Sequence, residues 1–219
     1  MKLIIFDMDG TLIDSQANIV GGMADAYAAV GLPPPSREKV LSIVGLSLPE
    51  AFFRLEPQID ESDRARMVEA YKAGFSQRRG GPIMPLYPGA ADLLAKLSAL
   101  PDRVLAIATG KSRRGLDHEL AAHGLTSLFK STQVADDHPS KPHPSMIERI
   151  LLETAETPEN AVMIGDTTYD IDMGRAAGVR TIGVRWGYHS DEALRAARAD
   201  HIVESYDALG DLLLRQSVR

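Results

Sequence analysis

The chain lacks cysteine in all of its 219 residues. This absence excludes disulfides, thiolate nucleophiles and thiolate metal sites. No stretch approaches the roughly 20 apolar residues that a membrane span needs. The apolar run after Met1 also reaches Asp7 too soon for a secretory signal. We therefore expect a cytoplasmic protein without a membrane partner.

Basic stretches are also missing. The chain has 24 lysines and arginines against 30 aspartates and glutamates, which gives a net charge of −6. Nucleic acids attract dense clusters of positive charge, so this balance argues against a nucleic-acid partner. With 44% hydrophobic and 25% charged residues, a chain of this length can bury the core of one domain that carries an insertion.

The order of apolar patterns predicts a strand, a helical block and then an alternating region. Residues 15–81 contain only helical patterns, and Gly80-Gly81-Pro82 indicates a flexible return. Within this block, Ser47-Leu48-Pro49-Glu50 has the spacing of a capping box. Beyond residue 100, strands alternate with helices, which is typical of a parallel sheet covered by helices. These predicted strands span residues 103–108, 131–134, 161–165, 180–184 and 201–204.

Two aspartates end the first predicted strand. Residues 3–12 read Leu-Ile-Ile-Phe-Asp-Met-Asp-Gly-Thr-Leu, so Asp7 and Asp9 can share one face of an extended segment. Neighbouring carboxylates repel each other unless a cation or a proton lies between them. The pair therefore indicates a divalent metal site or two acids with separated pKa values. An Asp-rich turn through Gly10 is the alternative.

Later segments also place polar side chains at predicted strand ends. Thr109 ends one apolar run and Asp166 ends another. Ligands of open α/β sheets bind outside the carboxyl ends of the strands, so we expect these side chains to meet Asp7 there. Lys141 lies in a proline-rich loop, whose stiff backbone suits a fixed positive charge. A solvated loop lysine is the alternative.

Four motifs in this order resemble those of the haloacid dehalogenase superfamily of phosphohydrolases. They are Asp-x-Asp-Gly-Thr at 7–11, Thr109, Lys141, and Gly165-Asp166 followed by Asp170. The resemblance covers residues 7–170, and later strands extend it to about residue 204. It implies an α/β fold with a Rossmann-like parallel-sheet core and an inserted all-helical cap. The core would comprise residues 1–14 and 83–219, and the cap residues 15–82.

The resemblance also implies a role for each motif. Asp7 would attack phosphorus and form an aspartyl-phosphate, and Asp9 would protonate the leaving oxygen and then activate water. Thr109 and Lys141 would bind the transferring phosphoryl oxygens. Further candidates for phosphate binding are Gly10, Thr11, Gly110 and Lys111.

Mg²⁺ is the cofactor that the resemblance implies. Asp7, the backbone carbonyl of Asp9, and Asp166 would hold it, and the ion would offset the repulsion between phosphate and the incoming carboxylate. Asp170 would bind the ion or orient its water ligands. Asp170 also suits the cap of the following helix, and both roles can hold.

Within the superfamily, Asp9 favours phosphoryl transfer, because dehalogenases and phosphonatases characteristically lack an acid there. The cap and core look most like the phosphoglycolate phosphatases, which implies a small phosphorylated metabolite as substrate. Gly110 departs from that pattern, since those enzymes often carry Asn at this place. We expect a monomer or weak dimer.

Two alternatives stay open. Mutases of the β-phosphoglucomutase type also retain the acid at Asp9, but they use a cation in the region of the predicted specificity loop, and residues 44–48 contain no lysine or arginine. A regulatory phosphoacceptor module, similar to response-regulator receivers, is the alternative from another class. Such receivers are about half this length and place the acceptor mid-chain.

Residues outside the motifs are candidates for contacts with the substrate. Arg37 and Arg54 could meet a substrate carboxylate from the cap, although surface charge explains them better. Trp186-Gly187-Tyr188 follows a predicted strand and could line the mouth of the site or simply pack.

Overall fold

The computed structural model describes residues 1–78 and 83–215 of the chain. Its strands are β1 (Leu3–Phe6), β2 (Val104–Thr109), β3 (Ser131–Val134), β4 (Ala161–Gly165), β5 (Arg180–Val184) and β6 (His201–Val203). They form one parallel sheet in the order β3-β2-β1-β4-β5-β6. The predicted strands are all present. The strand β2 lies one residue later than predicted, and β6 ends one residue earlier.

Alternate residues of the central strand pack on opposite faces of the sheet. Ile4 and Phe6 belong to one hydrophobic cluster, whereas Leu3 and Ile5 belong to another. All four side chains are fully buried. A strand that is apolar on both faces is typical of a parallel sheet with helices on each side, so the continuous apolar run of β1 is explained by its central place.

The helices are, in chain order, α1 (Gln16–Ala29), α2 (Arg37–Leu41), α3 (Leu48–Leu55), α4 (Glu61–Arg78), α5 (Ala90–Ser98), α6 (Arg113–Ala122), α7 (Ser145–Thr154), α8 (Thr168–Ala176), α9 (Asp191–Ala196) and α10 (Tyr206–Arg215). Those from α5 onward cover the two faces of the sheet. Within the described ranges, no helix has the length and apolarity that crossing a membrane requires.

The helices α1–α4 lie between β1 and α5 in the chain, and we call them the helical insertion. They enclose a hydrophobic cluster of their own, with Met23, Tyr27, Phe52 and Met67 almost fully buried. An all-helical segment is therefore present where the apolar stripes predict one. The division into a cap of residues 15–82 and a core stays a prediction, and Gly80-Gly81-Pro82 lies outside the described residues.

Two helices of the chain are preceded by a serine that does not cap them. Ser47 precedes α3, but its side chain makes no capping hydrogen bond, so the predicted capping box is wrong. Its backbone N–H instead donates to Ser140 Oγ at 2.9 Å. Ser15 precedes α1 and also makes no capping bond, while its Oγ lies 3.0 Å from the Tyr188 hydroxyl. In both places the serine makes a tertiary hydrogen bond in place of a local cap.

The strand order creates a crevice between β1 and β4. From β1 the chain adds β2 and β3 on one side, and it then returns to add β4, β5 and β6 on the other side. At such a reversal the loops leave two adjacent strands in opposite directions, which opens space at their carboxyl ends. Phe6 of β1 pairs with Ile164 of β4. The residues that follow these two strands therefore lie side by side at the crevice.

Candidate active site

A tight turn follows β1 and positions the first two acids. The Asp7 N–H donates to the Ile164 carbonyl at 2.9 Å, which continues the β1–β4 pairing by one residue. Gly10 then takes a φ of +80°, and its N–H donates to the Ile13 carbonyl at 2.9 Å. A Cβ at Gly10 would overlap the Asp166 carboxylate. This position therefore requires glycine, both for its backbone conformation and for its close approach to Asp166.

Three aspartates from two loops form a buried cluster. Asp7 follows β1, Asp166 follows β4, and Asp170 lies in the first turn of α8. One carboxylate oxygen of each lies within 4.8 Å of the others, and all three residues are buried. The crevice at the carboxyl ends of β1 and β4 thus brings together acids that lie more than 150 positions apart in the chain.

Asp166 is held by hydrogen bonds from two directions. Thr11 Oγ1 donates to Asp166 Oδ1 at 2.9 Å, and the backbone N–H of Tyr188 donates to Oδ2 at 2.9 Å. Thr11 is itself anchored, because the indole N–H of Trp186 and the hydroxyl of Tyr206 both donate to its carbonyl, at 3.0 and 2.6 Å. The turn after β1 and the loop after β5 therefore both hold the Asp166 carboxylate in place.

Asp170 caps α8 and also pairs with Lys141, whereas its predicted role toward the metal stays a prediction. It is the third residue of a capping box with Thr167, whose Oγ1 and N–H both donate to Asp170 Oδ2. Its other oxygen, Oδ1, accepts from Lys141 Nζ at 2.6 Å. Lys141 Nζ also lies 3.0 Å from Asp7 Oδ1, and the lysine side chain is completely buried. The predicted fixed charge is therefore present, and it joins two of the three acids.

The charges in this cluster are unbalanced, because its three carboxylates share one lysine, which contacts only two of them. Burial, followed by the charges of Asp170 and Asp9, raises the pKa of Asp7 to about 7 despite the opposing effect of Lys141. Burial and the charges of Asp170 and Asp7 also raise the pKa of Asp166 well above its ordinary value. Burial alone would lower the pKa of Lys141, but the charges of Asp170 and Asp7 outweigh it and raise that pKa.

The cluster fits a divalent cation. Lys141 Nζ lies 3.0 Å from Asp7 Oδ1, yet no described residue donates a hydrogen bond of good geometry to either buried oxygen of this carboxylate. Buried oxygens without donors are costly unless a cation binds them. Converging carboxylate oxygens are the ligands that Mg²⁺ prefers. The Asp9 carboxylate is not part of this cluster, so the predicted contribution of Asp9 rests on its backbone carbonyl alone.

The Asp9 side chain pairs with Lys111 instead. Lys111 Nζ lies 2.8 Å from Asp9 Oδ1, and both side chains are largely buried. The same ammonium group lies 5.1 Å from the centre of the Phe75 ring in α4, close enough for a cation–π contact. Thr109 is fully buried, and its Oγ1 accepts from the Lys111 N–H at 3.3 Å. Lys111, predicted to bind phosphate, is thus placed to fix Asp9.

The helical insertion lies directly on the core beside these residues. A Cβ at Gly110 would lie 2.5 Å from the Gly45 carbonyl oxygen, so Gly110 permits the loop between α2 and α3 to approach the end of β2. The hydroxyl of Tyr169 donates to the Ser42 carbonyl at 3.0 Å in the same region. Between insertion and core lies a cavity of about 280 Å³ with Asp7 and Asp9 in its wall.

The family model for haloacid dehalogenase-like hydrolases matches residues 4–184. The chain belongs to this family. It is 34% identical over 212 residues to the probable phosphatase IndB of Dickeya dadantii, covering 93% of this chain and 90% of that protein. It is 28% identical over 222 residues to phosphoglycolate phosphatase of Vibrio vulnificus, covering 98% and 96%. A crystal structure described as a predicted phosphatase from Clostridium acetobutylicum superposes with a TM-score of 0.88, at 25% identity and 98% coverage of both chains.

These comparisons show that the chain is a phosphatase-type hydrolase with the α/β fold of the haloacid dehalogenase-like family. The resemblance that the four motifs indicate is therefore confirmed at the level of family, fold and reaction class. The roles of the individual site residues stay predictions, which the geometry above supports or qualifies one residue at a time.

Several residues support the acid cluster through hydrogen bonds that the sequence indicated weakly or not at all. Trp186 and the backbone of Tyr188 support Thr11 and Asp166, so the segment 186–188 positions the site as well as packing. Tyr206 does the same from α10, and no sequence signal marks it. Arg54 binds Glu50 at 2.9 Å and the Tyr169 hydroxyl at 3.3 Å outside the cavity, which agrees with a surface role.

Replacing Lys141 should destabilise the metal-free hydrolase strongly. In Lys141→Met, Asp7 and Asp170 lose their shared cation while staying buried, and breaking such a pair typically costs about 3–5 kcal/mol. We expect urea denaturation in EDTA to show a loss of this size in the free energy of unfolding. Lys130→Met removes the same charge from an exposed side chain and should change that free energy by less than about 0.5 kcal/mol. Equal losses in the two variants would contradict the structural importance of Lys141.

Stability without metal should fall as the pH rises. Because the pKa of Asp7 is raised from 3.8 to about 7 in the folded protein, the folded state binds more protons than the unfolded state between these values. The resulting penalty grows from about pH 4 and is complete above pH 7. We therefore expect Mg²⁺ to raise the melting temperature more at pH 8 than at pH 5, relative to EDTA.

The acid cluster should account for this Mg²⁺ effect. Asp166→Asn should remove most of the rise in melting temperature at pH 8. Asp172→Asn changes an exposed aspartate of the same helix as Asp170 and should leave the rise unchanged. A Mg²⁺ effect of equal size at both pH values, or one that survives Asp166→Asn, would count against a metal at this cluster.

Proposed function

We propose that this protein is a Mg²⁺-dependent phosphatase that hydrolyses a small phosphomonoester through an aspartyl-phosphate on Asp7. The observation that carries the proposal is the buried cluster of Asp7, Asp166 and Asp170 with Lys141, which adjoins a cavity. Family membership supports the reaction class, and the cluster supports the metal and the nucleophile. Asp7 is the one acid of the cluster that also lines the cavity.

Mg²⁺ would be held by Asp7 and Asp166, the predicted backbone carbonyl of Asp9, and Asp170 as a direct ligand or through water. When bound, the ion supplies positive charge that reduces the repulsion between a phosphate dianion and an attacking carboxylate. Lys141 supplies further positive charge from the protein itself, 3.0 Å from the Asp7 carboxylate. It both orients the nucleophile and favours negative charge on the phosphoryl group.

In the first step, one carboxylate oxygen of Asp7 forms a bond to phosphorus, and the bond from phosphorus to the alcohol oxygen breaks. Asp9 donates a proton to that oxygen as it leaves. Lys111 holds the Asp9 carboxylate at 2.8 Å, so it fixes the side chain where the leaving group departs. Thr109 lies at the end of β2 and lines the same cavity, where its hydroxyl can bind a phosphoryl oxygen.

In the second step, Asp9 accepts a proton from water as the water oxygen attacks phosphorus. The bond from phosphorus to Asp7 then breaks, which regenerates the free carboxylate and releases inorganic phosphate. One side chain thus acts as acid and then as base. Asp9 suits both steps because its side chain faces the cavity, whereas Asp166 and Asp170 do not line it.

We also propose that residues 15–82 act as a cap that closes over the substrate. Support comes from the loop between α2 and α3, which lies against Gly110 and forms part of the cavity wall between insertion and core. Closure of this kind excludes bulk water while the aspartyl-phosphate forms. The proposed hinges lie near residues 14–16 and 80–82, of which the second lies outside the described residues.

The loop between α2 and α3 favours water, rather than a sugar hydroxyl, as the acceptor of the phosphoryl group. A mutase must bind a second phosphate of its substrate, and residues 44–48 of the loop at the cavity carry no cation. A regulatory phosphoacceptor receives no support from the comparisons, since the named relatives are phosphatases. Addition of glucose 1,6-bisphosphate should therefore leave the rate of phosphate release unchanged.

Removing the nucleophile should abolish turnover. We expect Asp7→Ala to reduce kcat for p-nitrophenyl phosphate in Mg²⁺ to the level of the buffer, because loss of a covalent nucleophile costs about 10⁶-fold in a well-studied hydrolase. Asp172→Asn serves as the matched control, because it removes an exposed carboxylate, and it should retain normal kcat. The wild-type protein should lose activity in EDTA and regain it with Mg²⁺.

Three results would contradict this function. The first is measurable Mg²⁺-dependent turnover by Asp7→Ala. The second is full activity of the wild-type protein in EDTA. The third is stoichiometric labelling of the protein without release of phosphate, which would favour the regulatory module.

A further inference from the structure

We propose that the substrate carries an apolar, uncharged organic group, so that the phosphoryl group is its only anion. This inference rests on the phosphatase function proposed above and concerns the other half of the ester. It departs from a phosphoglycolate-like substrate, whose organic half ends in a carboxylate. The structural basis is the wall of the cavity that faces away from Asp7.

The wall formed by the helical insertion is mostly apolar, although Tyr71 and Lys72 of α4 also line it. It faces the catalytic side chains Asp7, Asp9 and Thr109 across the cavity. Its side chains come from α1, the loop between α2 and α3, and α4. They include Ile19, Met23, Ile43, Val44, Leu46 and Phe75, each less than a tenth exposed. A substrate group that extends from the phosphoryl position would therefore contact hydrocarbon on the insertion side.

Among the residues that the structure describes, three cations line the cavity, and none of them is both buried and unpaired. Lys111 is already paired with Asp9 at 2.8 Å. Lys72 is half exposed and lies 3.4 Å from Glu69 Oε1, and Arg114 is exposed on α6. The exposed lysine and arginine therefore belong to the rim. A carboxylate in the interior would lose its water without gaining a partner, which is costly for a charged group.

Gly110 brings the apolar wall close to the reacting atoms. The space that a side chain at this position would occupy holds the backbone of Gly45 and Leu46, at 2.5–2.8 Å from the ideal Cβ. The core thus offers no polar side chain at position 110, and the insertion loop fills that volume. Val44 and Leu46 consequently line the cavity next to Thr109.

The cavity suits a small organic group. Its volume of about 280 Å³ lies just below the range of about 300–1,000 Å³ that is usual for small-molecule pockets. The phosphoryl group takes part of this volume. A short branched aliphatic chain or a single ring fits the remainder.

A matched pair of substrates tests the proposal. Isobutyl phosphate has the shape of 2-phosphoglycolate, with two methyl groups in place of the carboxylate oxygens. We expect the wild-type protein in Mg²⁺ to show kcat/KM at least 10-fold higher for isobutyl phosphate. Along the series ethyl, propyl and butyl phosphate, kcat/KM should rise about four-fold per methylene, which corresponds to about 0.8 kcal/mol for each buried CH₂.

A charge placed in the apolar wall should reverse the preference. Leu48 lines the cavity and is only partly buried, so Leu48→Lys can add a cation with little disturbance of the core. We expect the ratio of kcat/KM for 2-phosphoglycolate to that for isobutyl phosphate to rise at least 10-fold. Leu152→Lys makes the same change at a leucine that is 73% exposed on α7 and should leave the ratio unchanged. Because each ratio is taken within one variant, a partial loss of folded protein cancels.

The outcomes separate this proposal from the function on which it rests. Hydrolysis of phosphomonoesters with a preference for 2-phosphoglycolate, or without dependence on chain length, would overturn the substrate class and leave the phosphatase function intact. Failure to hydrolyse any ester, including p-nitrophenyl phosphate with Mg²⁺, would overturn both. If Leu48→Lys does not fold, the wild-type preference and the chain-length series decide the question.

Discussion

The site depends on one electrostatic constraint: three carboxylates are buried within 4.8 Å of one another around a single lysine. Burial makes each negative charge costly, and proximity makes the carboxylates repel one another. Lys141 offsets part of this repulsion, and the raised pKa of Asp7, about 7, reflects the part that remains. Such an arrangement needs a rigid frame to hold the acids, and a proton or the proposed cation to reduce their repulsion.

The frame is a continuous set of hydrogen bonds around the ends of β1 and β4. Thr11 connects the turn after β1 to Asp166. Trp186, which follows β5, and Tyr206, in α10, both donate hydrogen bonds to the Thr11 carbonyl. Asp170 is fixed by the capping box of α8, so the first turn of a helix serves as a support for a site residue. Preorganised groups of this kind favour charge at a fixed point without further rearrangement.

The helical insertion forms the cavity wall that faces Asp7 and Asp9. Its loop approaches the core at Gly110, where the absence of a side chain allows backbone to lie against backbone. One surface thereby lies beside Asp7 and presents mostly hydrocarbon to the cavity. Asp9 also lines the cavity and is paired there with Lys111. The proposed exclusion of water and the proposed recognition of an apolar group would both follow from this packing.

The sequence by itself determined the parallel sheet, the helical block after β1 and the acids at the strand ends. Those features follow from local periodicity and from the rule that ligands bind at the carboxyl ends of parallel strands. The sequence could not show that Lys111 pairs with Asp9, that Tyr206 supports Thr11, or that Ser47 bonds to Ser140 instead of capping α3. Only the tertiary structure decided these contacts, because they join residues 100 or more positions apart or replace a local bond with a distant one. Local pattern fixes which element a side chain belongs to, whereas its partner depends on how the elements pack.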